Sequence, residues 1–392
     1  MSLNTKIFIA ALIGIAYGLL LRLYPNTSFF NDSLYVLSIV SGIFIGFLKM
    51  LLVPLVFSSI VIGVASLESG HQLGKVWKVT LLCSLTTMSL SLFLGLLGAH
   101  LFEVGKGLDV AMFQSAMQQH QPAAQNLDAS SFLMNFVQNT LINPFKAFSD
   151  GNVLSVVIFS MLIGLALVYG GERFTGIRRL SQEFFELVMM LVGWLMKLAP
   201  IGILALLAKL IAKEDLSVLS RLAEFAAVVT GTTLFHGIVV LPLLLWIFGK
   251  MSPWTFFKGA RLALVTAFAT SSSSATMPLS MKCAQENLGV RPQIAGFVIP
   301  LGSHLNMDGT ALYEAAAALF VANLIGLDLH LGQQIIVCLT AMIASLGAPG
   351  IPSAGMVTMI MVLQSVGLPA EAIAILLPID RILDTVRTVV NV

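Results

Sequence analysis

The sequence predicts an all-α polytopic membrane protein of eight transmembrane helices plus two re-entrant helical hairpins. Three observations carry this reading. Of 392 residues, 57% are hydrophobic and only 10% charged, with mean hydropathy +0.94; soluble domains carry about a quarter charged residues. Apolar segments recur at or above the roughly 20 residues that a helix needs to cross a bilayer core. Two apolar regions near the C-terminal end are broken midway by Ser, Gly and Pro. So few charges cannot clothe a water-facing surface, which excludes a soluble enzyme, a disordered chain and a disulfide-stapled secreted module. A net charge of +2 gives no basis for a nucleic-acid partner. Cys83, Cys283 and Cys338 lie in apolar stretches without metal-type spacing and read as small hydrophobes.

The expected spans are 6–24, 34–67, 76–102, 131–170, 183–212, 222–249, 290–326 and 370–392. The first lacks a small-residue cleavage site and is expected to be a span, not a cleaved leader. Segment 34–67 is too long for one perpendicular crossing, which predicts strong tilt. Asn143-Pro144 and Gly151-Asn152 interrupt the fourth region and predict a broken helix there. The polar stretch 103–130, rich in Gln, reads as a surface connection without chemistry. Lys75 and Lys78, then Arg173, Arg178 and Arg179, then Lys250, Lys258 and Arg261 fall in alternate connections. The opposite ones hold Arg22 and Lys106, although Lys209, Lys213 and Arg221 count against the pattern. The positive-inside rule places the N-terminus in the cytoplasm, and the chain is expected to be a multi-pass protein of the plasma (inner) membrane in contact with lipid.

The two regions that fit poorly as single spans, 256–285 and 328–366, repeat one arrangement. Each is interrupted by small or hydroxyl residues and followed by a helix carrying intramembrane polar groups. The first copy has Thr270 to Pro278, including Ser271, Ser272, Ser273 and Ser274, then Asn306-Met307-Asp308-Gly309-Thr310. The second has Ser345 to Gly355, including Leu346, Ala348 and Gly350, then the helix with Asp380, Asp384, Arg387 and Asn391. Lipid cannot satisfy free backbone N–H and C=O groups, so broken helix survives only where protein or a polar cavity supplies partners. Paired interruptions of this kind point to a transporter binding site.

On the last helix, Asp380, Asp384, Arg387 and Asn391 stand at i, i+4, i+7 and i+11, with Thr388 at i+8, and so line one face. Each charge at mid-bilayer costs about 2.5–3.5 kcal/mol on insertion scales, so these must pair or face a wet cavity. One reading is a structural Asp–Arg pair fastening two helices. The other is recognition of a zwitterion with an acidic side chain: Asp384 would take its ammonium, Arg387 its side-chain carboxylate in a bidentate fork, and the hairpin-tip hydroxyls and amides its α-carboxylate.

Asn306 and Asp308, with free backbone carbonyls beside them, suit a hard, oxygen-seeking cation such as sodium. The alternative is helix–helix hydrogen bonding by Asn306 with a snorkelling or protonated Asp308. Glu314 lies far from either interface, where a carboxylate is expensive to keep charged, and fits either proton coupling or a structural pair. His304 reads as a hydrogen-bonded core residue, and Lys49 as a snorkelling side chain. No nucleotide-binding or hydrolase motif occurs, so transport would be driven by an ion gradient and the chain is not expected to be an enzyme.

Those residues carry a resemblance. The chain resembles the dicarboxylate/amino acid:cation symporters, the glutamate transporter family, through Lys49 to Phe57, the serine run 271–274 with Thr276 and Pro278, Asn306 to Thr310, the 345–355 loop and Asp384 to Asn391. The resemblance implies inverted repeats and a homotrimer of elevator-type transporters. Within the single membrane domain 1–392, it implies a scaffold part (approximately 1–75, 131–180 and some of 181–250) and a moving transport part (approximately 76–102 and 251–392). It implies substrate contacts from Ser272, Ser273, Ser274, Thr310, Asp384, Arg387, Thr388 and Asn391, with Gly350 in the extracellular gate. It implies one sodium site at Gly302, Asn306 and Asn391, and a second at backbone carbonyls of His304, Ser345, Leu346 and Ala348. A third would use Asn306, Asp308 and Thr87, although Ser84 and Met88 stand where the family has a tyrosine and a hydroxyl residue. Glu314 matches an acidic position of proton-coupled relatives. Ser271 and Thr385 stand where relatives often carry a second arginine, for which Arg381 is a substitute, and the aspartate that completes the first sodium site is expected a few residues past Val392.

The expected function is uptake of glutamate or aspartate by symport with sodium and with protons as a second coupling ion, without a cofactor. A C4-dicarboxylate would leave Asp384 no ammonium to hold, and a neutral amino acid would leave Arg387 an unpaired cation. A substrate-gated anion channel would want a ring of basic residues, which the sequence does not offer.

Overall fold

The computed structural model describes residues 3–25, 27–65, 74–106, 141–150, 153–213, 217–347 and 354–392, and these are helical with short connections. Helix α1 (Leu3–Arg22), α2 (Ser28–Ala65) and α3 (Gly74–Leu101) come first. After α4 (Pro144–Asp150) follow α5 (Val153–Gly170) and α6 (Thr175–Lys213). At 38 and 39 residues, α2 and α6 run nearly 60 Å at 1.5 Å per residue. That length fits the tilt expected of 34–67, and α6 extends both ends of the expected 183–212. Pro54 and Pro200 lie inside these helices. The interruption expected near Asn143-Pro144 is present, with Pro144 opening α4; Gly151 and Asn152 lie outside the described residues.

Helix α7 (Ser217–Phe235) passes through a π-turn (His236–Val240) into α8 (Leu241–Gly249). The first interrupted region is two helices, α9 (Pro253–Thr270) and α10 (Ser273–Lys282). Ser271 turns the chain with φ +49°, and Ser272 caps α10, its hydroxyl accepting from the Ala275 amide at 3.2 Å. The pair folds back on itself, for Asn287, beyond α10, donates to the Gly259 carbonyl of α9 at 2.8 Å. The second interrupted region is α13 (Leu331–Gly347) and α14 (Ala354–Ser365), which pack on each other. Ala348 and Gly350 lie outside the described residues.

The expected single span 290–326 is instead α11 (Pro292–Leu305) and α12 (Asp308–Leu324), parted by non-helical backbone at Asn306 and Met307. Hydropathy cannot reveal this break, because no proline marks it. Polar side chains that compete for backbone groups, the following Gly309 and an acid in the first turn of α12 place it. Helix α15 (Ile373–Asn391) ends the chain.

Every residue of α12 except Asn323 is buried, so α12 is the post around which the molecule packs. Its alanines leave room for α3: a Cβ added to Gly95 would lie 2.5 Å from the Leu312 carbonyl oxygen. Helices α1, α2, α5 and α6 pack mainly on one another, while α3, α7, α13, α14 and α15 surround α12. The groups touch where α2 meets α13 and α14 and where α6 meets α15. Phe8, Leu12, Tyr35, Phe47 and Trp194 are among the large apolar side chains exposed on α1, α2 and α6, a surface suited to lipid. Five helical stretches among the described residues, Thr5–Arg22, Ser28–Phe47, Lys78–Leu101, Ile158–Leu195 and Leu219–Gly249, are long and apolar enough to cross a membrane. Polar groups or backbone breaks interrupt α12 and α15, which are covered by protein instead.

Candidate functional site

The charged face of α15 is buried against α12 and α14. Asp380, Arg381, Asp384 and Arg387 are each at most 9% exposed, and Arg387 is fully buried. Arg387 Nη2 donates to Asp380 Oδ1 at 2.7 Å and to Asp384 Oδ1 at 3.0 Å. Arg381 Nη1 donates to the other oxygen of Asp384 at 3.2 Å. These pairs run along one helix, at i, i+3 and i, i+7 spacings that share a face. Two acids and two arginines leave the set formally neutral, which makes its burial affordable.

Arg387 is nonetheless under-used. Its guanidinium carbon lies 4.0 Å from the Tyr313 ring centroid, a cation–π contact, but Nε and Nη1 have no hydrogen-bond partner among the described residues. Each unsatisfied buried donor costs about 1–3 kcal/mol. Nη1 faces the first turn of α14, where a Cβ on Gly355 would lie 3.1 Å away. These idle donors lie beside a helix of the second interrupted pair.

Asn391 latches α15 to α12: its Oδ1 accepts from the Gly309 amide at 2.8 Å and its Nδ2 donates to Thr310 Oγ1 at 3.1 Å. Contact is so close that a Cβ on Gly309 would lie 2.8 Å from the Arg387 carbonyl oxygen. Thr388 donates to the Asp384 carbonyl at 2.7 Å, which leaves its oxygen only as an acceptor. Ser272 and Ser273 are buried at the tip of α9 and α10, and Ser274 is half-buried beside them. Helix α9 packs on α15, but no hydrogen bond joins Ser273 or Ser274 to Arg387 or Asn391 among the described residues.

A second polar cluster lies where α11 breaks into α12. Thr87 Oγ1 of α3 is 3.2 Å from Asp308 Oδ1, 3.4 Å from Asn306 Oδ1 and 3.2 Å from the Ser84 carbonyl. One hydroxyl proton cannot serve three acceptors, so the cluster has an excess of oxygen lone pairs. His236, which sequence reasoning did not single out, sits 3.0 Å from Asp308 Oδ2 through Nε2, both side chains fully buried. A histidine midway along the apolar span 222–249, well away from Glu224 at its start, is the available signal. Of the other sodium-site expectations, the Gly302 carbonyl accepts from the Asn306 amide at 2.9 Å. The helices carrying His304 and Leu346 pack together.

Glu314 is fully buried on α12. The Thr358 hydroxyl of α14 donates to its Oε1, and Ser345 Oγ of α13 lies 3.5 Å from Oε2. Glu314 thus touches both helices of the second interrupted pair.

An all-helical chain with helices broken around buried charges and an oxygen cluster beside them is consistent with a membrane transporter. A family model described as the sodium:dicarboxylate symporter family matches residues 3–392. Excitatory amino acid transporter 1 of Ambystoma tigrinum is 35% identical over 434 residues, covering 98% of this chain and 79% of its own. Excitatory amino acid transporter 3 is 34% identical in Oryctolagus cuniculus and 33% in Homo sapiens, each covering 98% of this chain and 82% and 81% of its own. The chain belongs to the sodium:dicarboxylate symporter family, a family of transporters and not of enzymes.

Proposed function

We propose that the protein takes up an acidic amino acid, glutamate or aspartate, by symport with sodium. The observation that carries this reading is the buried Arg387 with two idle donors, set among Asp380, Asp384 and Arg381 on one helix. A substrate carboxylate would take the idle donors of Arg387, and its ammonium would take Asp384. The hydroxyls of Ser272, Ser273, Ser274, Thr310 and Thr388 and the amide of Asn391 would complete the site, with Gly350 in the gate. The names of the relatives favour an acidic amino acid over a C4-dicarboxylate.

Sodium would bind at the oxygen cluster of Thr87, Asn306 and Asp308. Two further sites are proposed at Gly302, Asn306 and Asn391 and at the carbonyls of His304, Ser345, Leu346 and Ala348. Asn306 and Asp308 precede Gly309 and Thr310, which hold Asn391 of α15, so a cation that orders the break also orders one wall of the substrate site. Two ligands that favour the same arrangement bind cooperatively. Glu314 would carry a coupled proton, and its contacts with α13 and α14 would bias closure of that pair. The grouping of helices supports a scaffold of α1, α2, α5 and α6 and a transport part around α12 that moves as an elevator. We further propose re-entrant hairpins at α9/α10 and α13/α14, a homotrimer, and an inner-membrane location with a cytoplasmic N-terminus.

The test is uptake of radiolabelled glutamate, aspartate and succinate into proteoliposomes with sodium and pH gradients imposed separately. Sodium-driven accumulation of the amino acids is expected. Accumulation of succinate alone, or none with any sodium gradient, would overturn the reading.

A further inference from the structure

His236 lies outside every role assigned above. It opens the π-turn His236–Val240 between α7 and α8, and such turns inside α-helices cluster at functional sites. The turn is wedged against α15, where a Cβ on Gly237 would lie 2.7 Å from Val390 Cγ2. The ring is fully buried, with Nε2 at 3.0 Å from Asp308 Oδ2, while Nδ1 has no partner among the described residues. With Asp308 as acceptor, the ring proton sits on Nε2. The two carboxylate oxygens of Asp308 are therefore divided: Oδ2 belongs to the imidazole, and Oδ1 to the cluster with Thr87 and Asn306.

We propose that His236 is a positioning residue of the cation site. Its Nε2–H holds Oδ2 and so fixes the plane of the Asp308 carboxylate, leaving the Oδ1 lone pairs directed at the space between Asn306 and Thr87. A monovalent hard cation meets a preformed oxygen set there, and His236 acts on it only through Asp308. Outer partners of this kind tune cation affinity without touching the ion. The inference rests on the reading of the Thr87, Asn306 and Asp308 cluster as a sodium site.

The test measures sodium half-saturation of L-aspartate binding, and L-aspartate affinity at saturating sodium, on purified full-length protein. H236F should raise the sodium half-saturation by about 10- to 100-fold while L-aspartate affinity at saturating sodium stays near wild type. H236Q, whose amide N–H can reach Oδ2, should recover most of the sodium affinity. Unchanged sodium dependence in H236F, an equal loss of both affinities, or no recovery in H236Q would overturn the assignment. D308N separates the two layers. If it leaves sodium dependence unchanged, the cation-site reading fails and takes the inference with it. If it weakens sodium binding and H236F does not, only the role of His236 falls.

Discussion

Arg387 shows how far a single residue can be read from sequence. Its place on one face with Asp380 and Asp384 follows from helical spacing, and in the structure that face is buried with its acids and arginines paired. The identity of its partners was less legible: a fastening between two helices and a ring of acids along one helix have the same sequence signature. R387K keeps the positive charge that Asp380 and Asp384 require but loses the planar set of donors. It should melt near wild type while binding L-aspartate about 10-fold or more weaker, for loss of one charge-assisted hydrogen bond of roughly 1.5–3 kcal/mol. R387C should lose acidic-substrate uptake altogether and admit serine or alanine; unchanged aspartate affinity in either variant would discard the role. E314Q keeps a group that can bond Thr358 but removes the titratable one. Uptake by E314Q should no longer respond to an imposed pH gradient in proteoliposomes, and persistence of that response would remove Glu314 from proton coupling. His236 was hidden in the sequence because its partner Asp308 is 72 positions away, and no spacing rule links a lone histidine to an acid on another helix.

At the scale of elements, the interruption at Ser271 and Ser272 is legible as a run of serines, whereas the break at Asn306 and Met307 falls inside the expected span 290–326, where no proline or run of small residues marks it. Tertiary contacts sustain it: Asn391 holds the Gly309 amide, and Thr87 and His236 occupy Asp308. Close approach of α3 and α15 to α12 depends on two glycines. G95A and G309A would force backbone contacts of 2.5 and 2.8 Å, and overpacking of this sort costs about 1–3 kcal/mol. Both should lower the melting temperature, and G309A should also weaken aspartate binding because α15 must retreat. An added Cβ at Gly231 on α7 meets nothing within 4 Å, so G231A should melt at or above wild type. Equal melting of G95A and G231A would show that α12 is not tightly packed.

For the whole molecule, membrane class followed from composition alone, whereas the division into two packing groups did not. Which helices share a group depends on long-range contacts, such as α3 on α12 and α6 on α1 and α2, that hydropathy leaves open. If the groups slide past each other during transport, fixing them together must stop transport without destroying the site. Paired cysteines at the contact of α2 with α13, introduced after replacing Cys83, Cys283 and Cys338, should abolish uptake when cross-linked and restore it on reduction, while L-aspartate binding in detergent persists throughout. Undiminished uptake by the fully cross-linked protein would rule out that movement.

The most direct measurement is calorimetric titration of L-aspartate into purified protein, in sodium and in a large organic cation, for wild type and R387C. Saturable heat should arise in sodium, vanish in the organic cation and vanish in R387C. No heat in any salt, or an undiminished heat in R387C, would mean that the charges of α15 serve the fold and not a ligand.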